Sequence, residues 1–298
     1  MTRVLVMGTG AVGGYFGGCL LRRGHDVTFV ARGPNLSALQ SDGLRVTGAM
    51  GDFSFDQVDA VGAPSGDFEL VLLCVKAYDL NSAMVAGDVV LTLQNGVDAP
   101  FAVQEALGDV VLGGSTGIVA DLPEPGHVHV VSDYAWIRFG ELSGGGVSPR
   151  VERVRSRLDV DGIEPLVVDD ARISLWEKMS LMCGMAGLTT LYQRPMGELL
   201  GDPSTRDQFE AIVRECFAVA MARGVPLRDD FVAKRMHYAA GIDPMAMSSM
   251  SRDFARGRNI ELETFNGAIV RMGAELGIDV PQNVAVYEGI KGARKRFS

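Results

Sequence analysis

The chain has 298 residues and a formal net charge of −9, with 47% hydrophobic and 22% charged residues. This composition is typical of a globular protein with a substantial core, and the length predicts about two domains. The acidic balance argues against a nucleic-acid-binding or anionic-membrane surface. No apolar run approaches the 18 or so residues that a membrane helix needs. We therefore expect neither a nucleic-acid partner nor a membrane partner.

The four cysteines, Cys19, Cys74, Cys183 and Cys216, are widely spaced, without a CxxC pair or a histidine at metal-ligand spacing. Free thiols in a reducing compartment are the simplest interpretation. The sequence also opens directly on a strand-like segment rather than on a signal peptide. We expect a cytoplasmic protein without a bound metal.

Strand-like and helix-like segments alternate in the first half of the chain. The predicted strands are RVLVMG, DVTFVAR, FELVLLCVKA and DVVLTLQNG, and the first two are followed by the predicted helices AVGGYFGGCLLRRG and NLSALQSDG. Continuous apolar runs such as LVLLCV are typical of strands covered on both faces in a parallel sheet. The later segment GIVADLPEPGHVHVVSDYAWIRFGEL alternates instead, which predicts antiparallel strands at the edge of that sheet. The pattern predicts an α/β domain with a Rossmann-type doubly wound sheet over residues 1–168.

Strand signals stop after about Asp169. Helices are predicted over residues 173–191, 204–223, 228–239, 261–276 and 281–294. We place the boundary near residues 168–171, so that residues 169–298 form an all-helical C-terminal domain.

The first predicted strand runs into GTGAVG, a GxGxxG motif made by Gly8, Gly10 and Gly13. Glycine suits a tight turn, a close backbone approach to a pyrophosphate, and close packing of helix on strand. The N–H groups at the start of the next helix would then face the phosphates. We expect this turn to bind a dinucleotide; the alternative is a tightly packed turn without a ligand. The predicted contacts are Gly8, Thr9, Gly10, Ala11, Val12 and Gly13.

Three further residues are assigned to the cofactor because they end or follow predicted strands, where ligands of such sheets bind. Arg32 ends the second strand, and no acid follows before Asp42, whereas NAD sites usually place an acid there. Arginine suits the 2′-phosphate of NADP, so we expect NADPH as the cofactor. The alternative is that Arg32 lies in solvent at the end of the strand and contacts no cofactor. Lys76 in CVKAYDL could meet phosphate, ribose, substrate or solvent. Asn95 in LQNGV is assigned to cofactor and substrate, against the alternative of a simple turn.

The predicted helix ISLWEKMSLMCGMAGLTTL carries Lys178 in its middle, and no residue one turn away on either side is charged. A lysine is rarely buried without a partner, because desolvating an ammonium is costly. A catalytic lysine is one interpretation. The alternative is an ammonium in solvent above a stem packed on apolar neighbours.

The motifs GTGAVGGYFG, CVKAYD, LQNGV, ISLWEKM, SSMSRDFARGRNIELETFNG and GIDVPQN occur in an order that resembles the ketopantoate reductase family over essentially the whole chain. The resemblance implies a Rossmann domain, a helical domain, an active-site cleft between them, and NADPH-dependent reduction of a 2-keto acid to a 2-hydroxy acid. It also implies that Lys178 is the general acid and that Glu261 orients lysine and substrate. Asn95 would lie near nicotinamide and substrate. Ser249 would hold the substrate carboxylate, although a serine here could simply cap a helix.

The sequence departs from the family pattern four and eight residues after the lysine, where the family has asparagines. Met182 and Ala186 stand at these positions, on one helix face, so that both polar contacts are lost together. These substrate-facing positions suit a larger or more apolar 2-keto acid. Two alternatives stay open beside ketopantoate reduction: a D-2-hydroxyacid dehydrogenase acting on branched or aromatic keto acids, and a non-catalytic NADP-binding sensor. The oligomeric state is also open, with a homodimer among the candidates.

Overall fold

A computed structural model of the chain describes residues 1–76, 79–80 and 87–294. Its contacts divide the chain into two compact units. The first unit comprises Met1–Gln94 and Asp98–Ser174, and the second comprises Asn95–Val97 and Leu175–Ser298. The short segment Asn95–Val97 therefore packs with the helical unit, although the residues on both sides of it belong to the first unit.

The strands of the described residues all lie in the first unit. They are β1 (Arg3–Met7), β2 (Asp26–Val30), β3 (Leu44–Gly48), β4 (Phe53–Phe55), β5 (Asp59–Val61), β6 (Leu70–Leu73), β7 (Val90–Thr92), β8 (Val111–Gly117), β9 (Ala120–Glu124), β10 (His127–Val130), β11 (Trp136–Gly140) and β12 (Glu164–Val167). Its helices are α1 (Ala11–Arg22), α2 (Gly33–Ser41), α3 (Ala99–Leu107) and α4 (Pro149–Leu158).

The larger sheet has the order β12-β11-β8-β7-β6-β1-β2-β5 within the described residues. Its strands from β8 to β5 are all parallel, and β1 lies between β2 and β6, where the strand order changes direction. Among the strand pairs that the structure describes in this sheet, only β11 and β8 are antiparallel, and β12 pairs in parallel with β11. The predicted doubly wound sheet is confirmed, because buried apolar strands such as LVLL of β6 need cover on both faces.

A second sheet has the order β4-β3-β10-β9. The alternating segment was predicted to lie at the edge of the large sheet, and for β9 and β10 this is wrong. They pair with each other in antiparallel fashion, and β10 pairs in parallel with β3. The reason is that the side of α1 that faces away from the large sheet also needs apolar cover. The buried side chains of β10, Val128 and Val130, provide it, so β10 packs over α1 and does not extend the large sheet.

Helix α1 lies between the two sheets and can do so because it presents glycines to both. A Cβ at Gly17 would stand 2.5 Å from the ring of Phe29 in the large sheet. A Cβ at Gly14 would stand 2.8 Å from Val128 in the small sheet. Side chains at these positions would push the layers apart, so the glycines set the close packing that holds the N-terminus of α1 beside β1.

The second unit is helical in all its described elements, as predicted. Its helices are α5 (Ala171–Tyr192), α6 (Met196–Gly201), α7 (Pro203–Ala222), α8 (Phe231–Ala240), α9 (Ser249–Ala255), α10 (Asn266–Leu276) and α11 (Pro281–Arg294). The first residues of α5, up to Ser174, are counted with the first unit. The carbonyl of Glu261 accepts from the N–H groups of Thr264 and Phe265 in a turn. The backbone of Phe265 is not helical (φ −99°, ψ −102°), so the helix predicted over residues 261–276 begins only at Asn266. The short helix α6 was not predicted. None of the described helices combines the length and the apolar content needed to cross a membrane.

Candidate active site

The GxGxxG turn connects β1 to α1 and is bound to the end of β2. Gly8 has a φ of 102°, and the backbone N–H groups of Gly8 and Thr9 donate to the carbonyl of Val30 at 3.2 and 3.0 Å. A Cβ at Gly13 would stand 2.2 Å from the carbonyl oxygen of Gly8, so no other residue fits there. Beyond Gly10, in contrast, an added Cβ would meet nothing within 4 Å. Neighbouring atoms therefore leave no space for a side chain at Gly8 and Gly13, whereas the space beside Gly10 is open.

This arrangement fits a dinucleotide phosphate. Gly10 is the N-cap of α1 and provides no side-chain hydrogen bond to the helix, and Ala11 and Val12 form its first turn. The N-terminal N–H groups of a helix attract anions, and a glycine at the N-cap has no side chain that would block the approach of a phosphate.

Among the residues that the structure describes, no group of three or more acidic, histidine or cysteine side chains is arranged to hold a metal ion.

Arg32 lies just beyond β2, as predicted, with its side chain 81% exposed. Its guanidinium lies 2.7 Å from the carboxylate of Asp79, in the loop after β6. The backbone N–H of Asp79 in turn donates to the carbonyl of Lys76 at 2.9 Å, and the Lys76 side chain is exposed. The structure thus brings Arg32 and the Lys76 loop together through an acid that the sequence reasoning missed. Ala77 and Tyr78 of the CVKAYD motif lie outside the described residues.

Two other polar residues near these loops also escaped the sequence reasoning. Asn35 of α2 donates to the carbonyl of Thr9 at 2.5 Å and accepts from the N–H of Gly126 at 2.8 Å, which ties the motif to the small sheet. Gln94, just after β7, is buried, and both of its amide atoms are without a hydrogen-bond partner. Gln94 lies in the LQNGV motif and could have been identified from it as a candidate site residue. The sequence analysis assigned only the neighbouring Asn95 to cofactor and substrate.

The second unit brings two of the predicted residues into contact. Asn95 Nδ2 donates to both carboxylate oxygens of Glu261, each at 3.3 Å. Glu261 is 4% exposed, so its carboxylate is held in a buried position. Gly96 has a φ of 91°, and a Cβ there would stand 2.8 Å from Cγ2 of Thr264. The Asn-Gly pair is therefore packed against the turn that starts at Glu261 and is more than a chain reversal.

Lys178, Met182 and Ala186 occupy one face of α5. Lys178 and Met182 are half-buried and Ala186 is fully buried. Further along, Thr189 shares a 2.9 Å hydrogen bond with Ser248. Spacings of four, eight and eleven residues keep these side chains on one side of the helix. The face carries a cation at one end, an apolar middle, and hydroxyl groups at the other end.

The two serines before α9 have different surroundings. Ser248 is the buried N-cap, and its hydroxyl oxygen accepts from the N–H of Ser251 at 3.0 Å. Ser249 is the first residue of the helix and is exposed. Capping was the alternative for Ser249, but the capping residue is Ser248, and the hydroxyl of Ser249 lies outside the capping bond.

The free cysteines do not add reactive groups to these regions. Burial raises the pKa of the Cys74 thiol, at the end of β6, to about 12. Burial also raises the pKa of Cys183 on α5 well above its usual value, and the neighbouring Cys216 contributes to the rise. Both thiols stay neutral near pH 7, and a neutral thiol is a poor nucleophile.

Comparisons with known proteins cover both units. Residues 4–144 match the model of the family described as ketopantoate reductase PanE/ApbA, and residues 170–294 match the model of its C-terminal part. The 2-dehydropantoate 2-reductase of Archaeoglobus fulgidus is 33% identical, with 97% of each chain covered. That of Halobacterium salinarum is 32% identical, with 94% of each chain covered.

Solved structures agree with this assignment. A PanE/ApbA family ketopantoate reductase from Ralstonia eutropha has a TM-score of 0.87 and 31% identity, with 99% of each chain covered. A D-mandelate dehydrogenase in complex with NADH has a TM-score of 0.88 over 99% of this chain and 100% of the other, but its 22% identity supports only the shared fold. The predicted family and the predicted enzyme class are confirmed. The protein belongs to the ketopantoate reductase family, oxidoreductases that act on CH–OH groups with a nicotinamide cofactor.

Proposed function

We propose that this protein reduces a 2-keto acid to the 2-hydroxy acid with NADPH. We assign cofactor binding to residues 1–168 and substrate binding to residues 169–298. The observation that carries the proposal is the buried carboxylate of Glu261, which accepts from Asn95 at 3.3 Å in the same unit as Lys178. A binding protein without catalysis needs neither a buried acid–amide pair nor a half-buried lysine in the same unit, and this argues against the sensor alternative.

When bound, NADPH would supply the hydride for the carbonyl carbon of the substrate. Lys178 stabilises the negative charge that develops on the carbonyl oxygen and donates its proton there. Glu261 orients the lysine and the substrate, and Asn95, positioned by its two hydrogen bonds to Glu261, presents its amide to the reacting groups. Gly8 to Gly13 hold the pyrophosphate, with Arg32 and Lys76 contributing positive charge.

The substrate carboxylate is assigned to Ser249, whose exposed hydroxyl is not used in the cap of α9. Ketopantoate is the first candidate substrate, because relatives above 30% identity carry the name 2-dehydropantoate 2-reductase. A branched or aromatic 2-keto acid is the second candidate. Met182 and Ala186 favour it, since an apolar face rewards an apolar side chain and penalises unpaired hydroxyl groups.

The experiment is NADPH oxidation by the purified protein with a panel of 2-keto acids that includes ketopantoate, a branched acid and an aromatic acid. We expect Lys178→Ala to lower kcat by about 10²- to 10⁴-fold, the usual contribution of a general acid, with an unchanged Kd for NADPH. Lys234→Ala is the matched control, because Lys234 lies in the same unit in an exposed ion pair with Asp230. Full activity in Lys178→Ala would contradict the assignment. NADPH binding without turnover of any acid would support the sensor alternative.

A further inference from the structure

Three loops of the first unit lie close together: the GxGxxG turn, the segment just beyond β2 and the loop after β6. The loop after β6 is tied to β1, because the N–H of Cys74 donates to the carbonyl of Met7 at 2.8 Å. It also touches the GxGxxG turn, where a Cβ at Gly8 would stand 2.7 Å from the backbone nitrogen of Val75. Asp79 follows four residues later and forms its ion pair with Arg32 beyond β2.

The ion pair is asymmetric in its exposure. The side chain of Asp79 is 28% exposed, whereas that of Arg32 is 81% exposed. Asp79 is also held through its backbone, which donates to Lys76 at 2.9 Å. The carboxylate is therefore the more fixed of the two groups, and the guanidinium, which has five N–H donors, can contact it and a ligand at once.

In this fold an acid beyond the second strand binds the ribose hydroxyls of NAD, and an arginine there accommodates the 2′-phosphate of NADP. Here the second strand supplies the arginine, and the loop after β6 brings the acid to it. We propose that Asp79 is a specificity-determining residue that restores the missing ribose-binding carboxylate, so that the site accepts NADH as well as NADPH. This inference rests on the proposed cofactor site.

The physical basis is the difference between the two ligands at the 2′ position. A ribose hydroxyl can donate to the Asp79 carboxylate, whereas a phosphate carries a charge of about −1.5 to −2 and is repelled by it. Asp79 also withdraws part of the guanidinium from the phosphate by binding it at 2.7 Å. One carboxylate thus favours NADH and disfavours NADPH.

The test measures the Kd values of NADPH and NADH by calorimetric titration of the full chain. For Asp79→Asn we expect the ratio of the Kd of NADH to the Kd of NADPH to rise by about ten-fold. The effect is limited to this size because solvent screens the partly exposed carboxylate. Asp42→Asn is the matched control, because Asp42 is the acid nearest to Arg32 along the following sequence and is exposed after α2. Its preference should stay within about two-fold of the parent protein. Asp79→Ala should repeat the effect of Asp79→Asn, and thermal unfolding checks that each variant is folded.

An unchanged preference in both Asp79 variants would overturn the inference. If Arg32→Ala then still weakens NADPH binding, the proposed cofactor site stands and only the role of Asp79 fails. If the parent protein binds neither dinucleotide, the proposed function itself fails and the inference fails with it.

Discussion

Replacing Gly96 with alanine should misplace Asn95, for two separable reasons. At a φ of 91° an L-residue is strained by about 1–2 kcal/mol. The new methyl group would stand 2.8 Å from Cγ2 of Thr264, and overpacking of this kind costs about 1–3 kcal/mol. The two effects together predict that Gly96→Ala lowers the free energy of unfolding by about 2–5 kcal/mol.

The same substitution should impair catalysis, because Asn95 donates to Glu261 over two bonds that are already 3.3 Å long. A shift of the loop would stretch them beyond hydrogen-bond range. We expect a fall in kcat of about ten-fold or more, since small misplacements of positioning groups have large effects on rate.

Thr264→Ser separates the two reasons, because it removes the Cγ2 atom that the alanine would strike. The double variant Gly96→Ala/Thr264→Ser should recover about 1–2 kcal/mol of stability relative to Gly96→Ala and retain the backbone strain. Urea unfolding followed by tryptophan fluorescence measures the free energies, and steady-state kinetics measures kcat. If the serine gives no recovery, or if Gly96→Ala behaves like the parent protein, the packing argument is wrong.

Two further predictions concern carboxylates away from the proposed chemistry. Glu215 of α7 accepts from two N–H groups at the start of α11 and from the side chain of Asn283, so Glu215→Ala should cost about 2–4 kcal/mol of unfolding free energy in urea. The control Glu210→Ala, in an exposed pair on the same helix, should cost less than about 1 kcal/mol, and equal losses would contradict the assignment. The hydrogen bonds from Arg150, together with that from Ser148, lower the pKa of Glu141. The ionised carboxylate therefore stabilises the fold at pH values above its unfolded pKa of about 4.3. This stabilisation is lost as the pH falls through the lower pKa of the folded state. Glu141→Gln should therefore be less stable than the parent protein at pH 7, and the difference should shrink below about pH 4; a constant difference would refute the linkage.

Local sequence patterns predicted most of the secondary structure and its class. Apolar runs without alternation indicated the parallel strands, and the GxGxxG motif indicated the turn between β1 and α1. The helix of Lys178 was predicted over residues 173–191 and is observed over Ala171–Tyr192. These features depend on residues near each other in the chain, where periodicity and glycine requirements act directly.

Only the tertiary structure decided which distant groups meet. Asn95 and Glu261 are 166 residues apart and share a buried pair of hydrogen bonds. The alternation of β9 and β10 predicted strands but not their sheet, because alternation shows only that one face is covered and does not identify what covers it. Asp42 is the first acid that follows Arg32 along the chain, whereas the acid that contacts the guanidinium is Asp79, in the loop after β6. Contacts of this kind depend on how strands are ordered in the sheet, which is a property of the whole fold and not of any local segment.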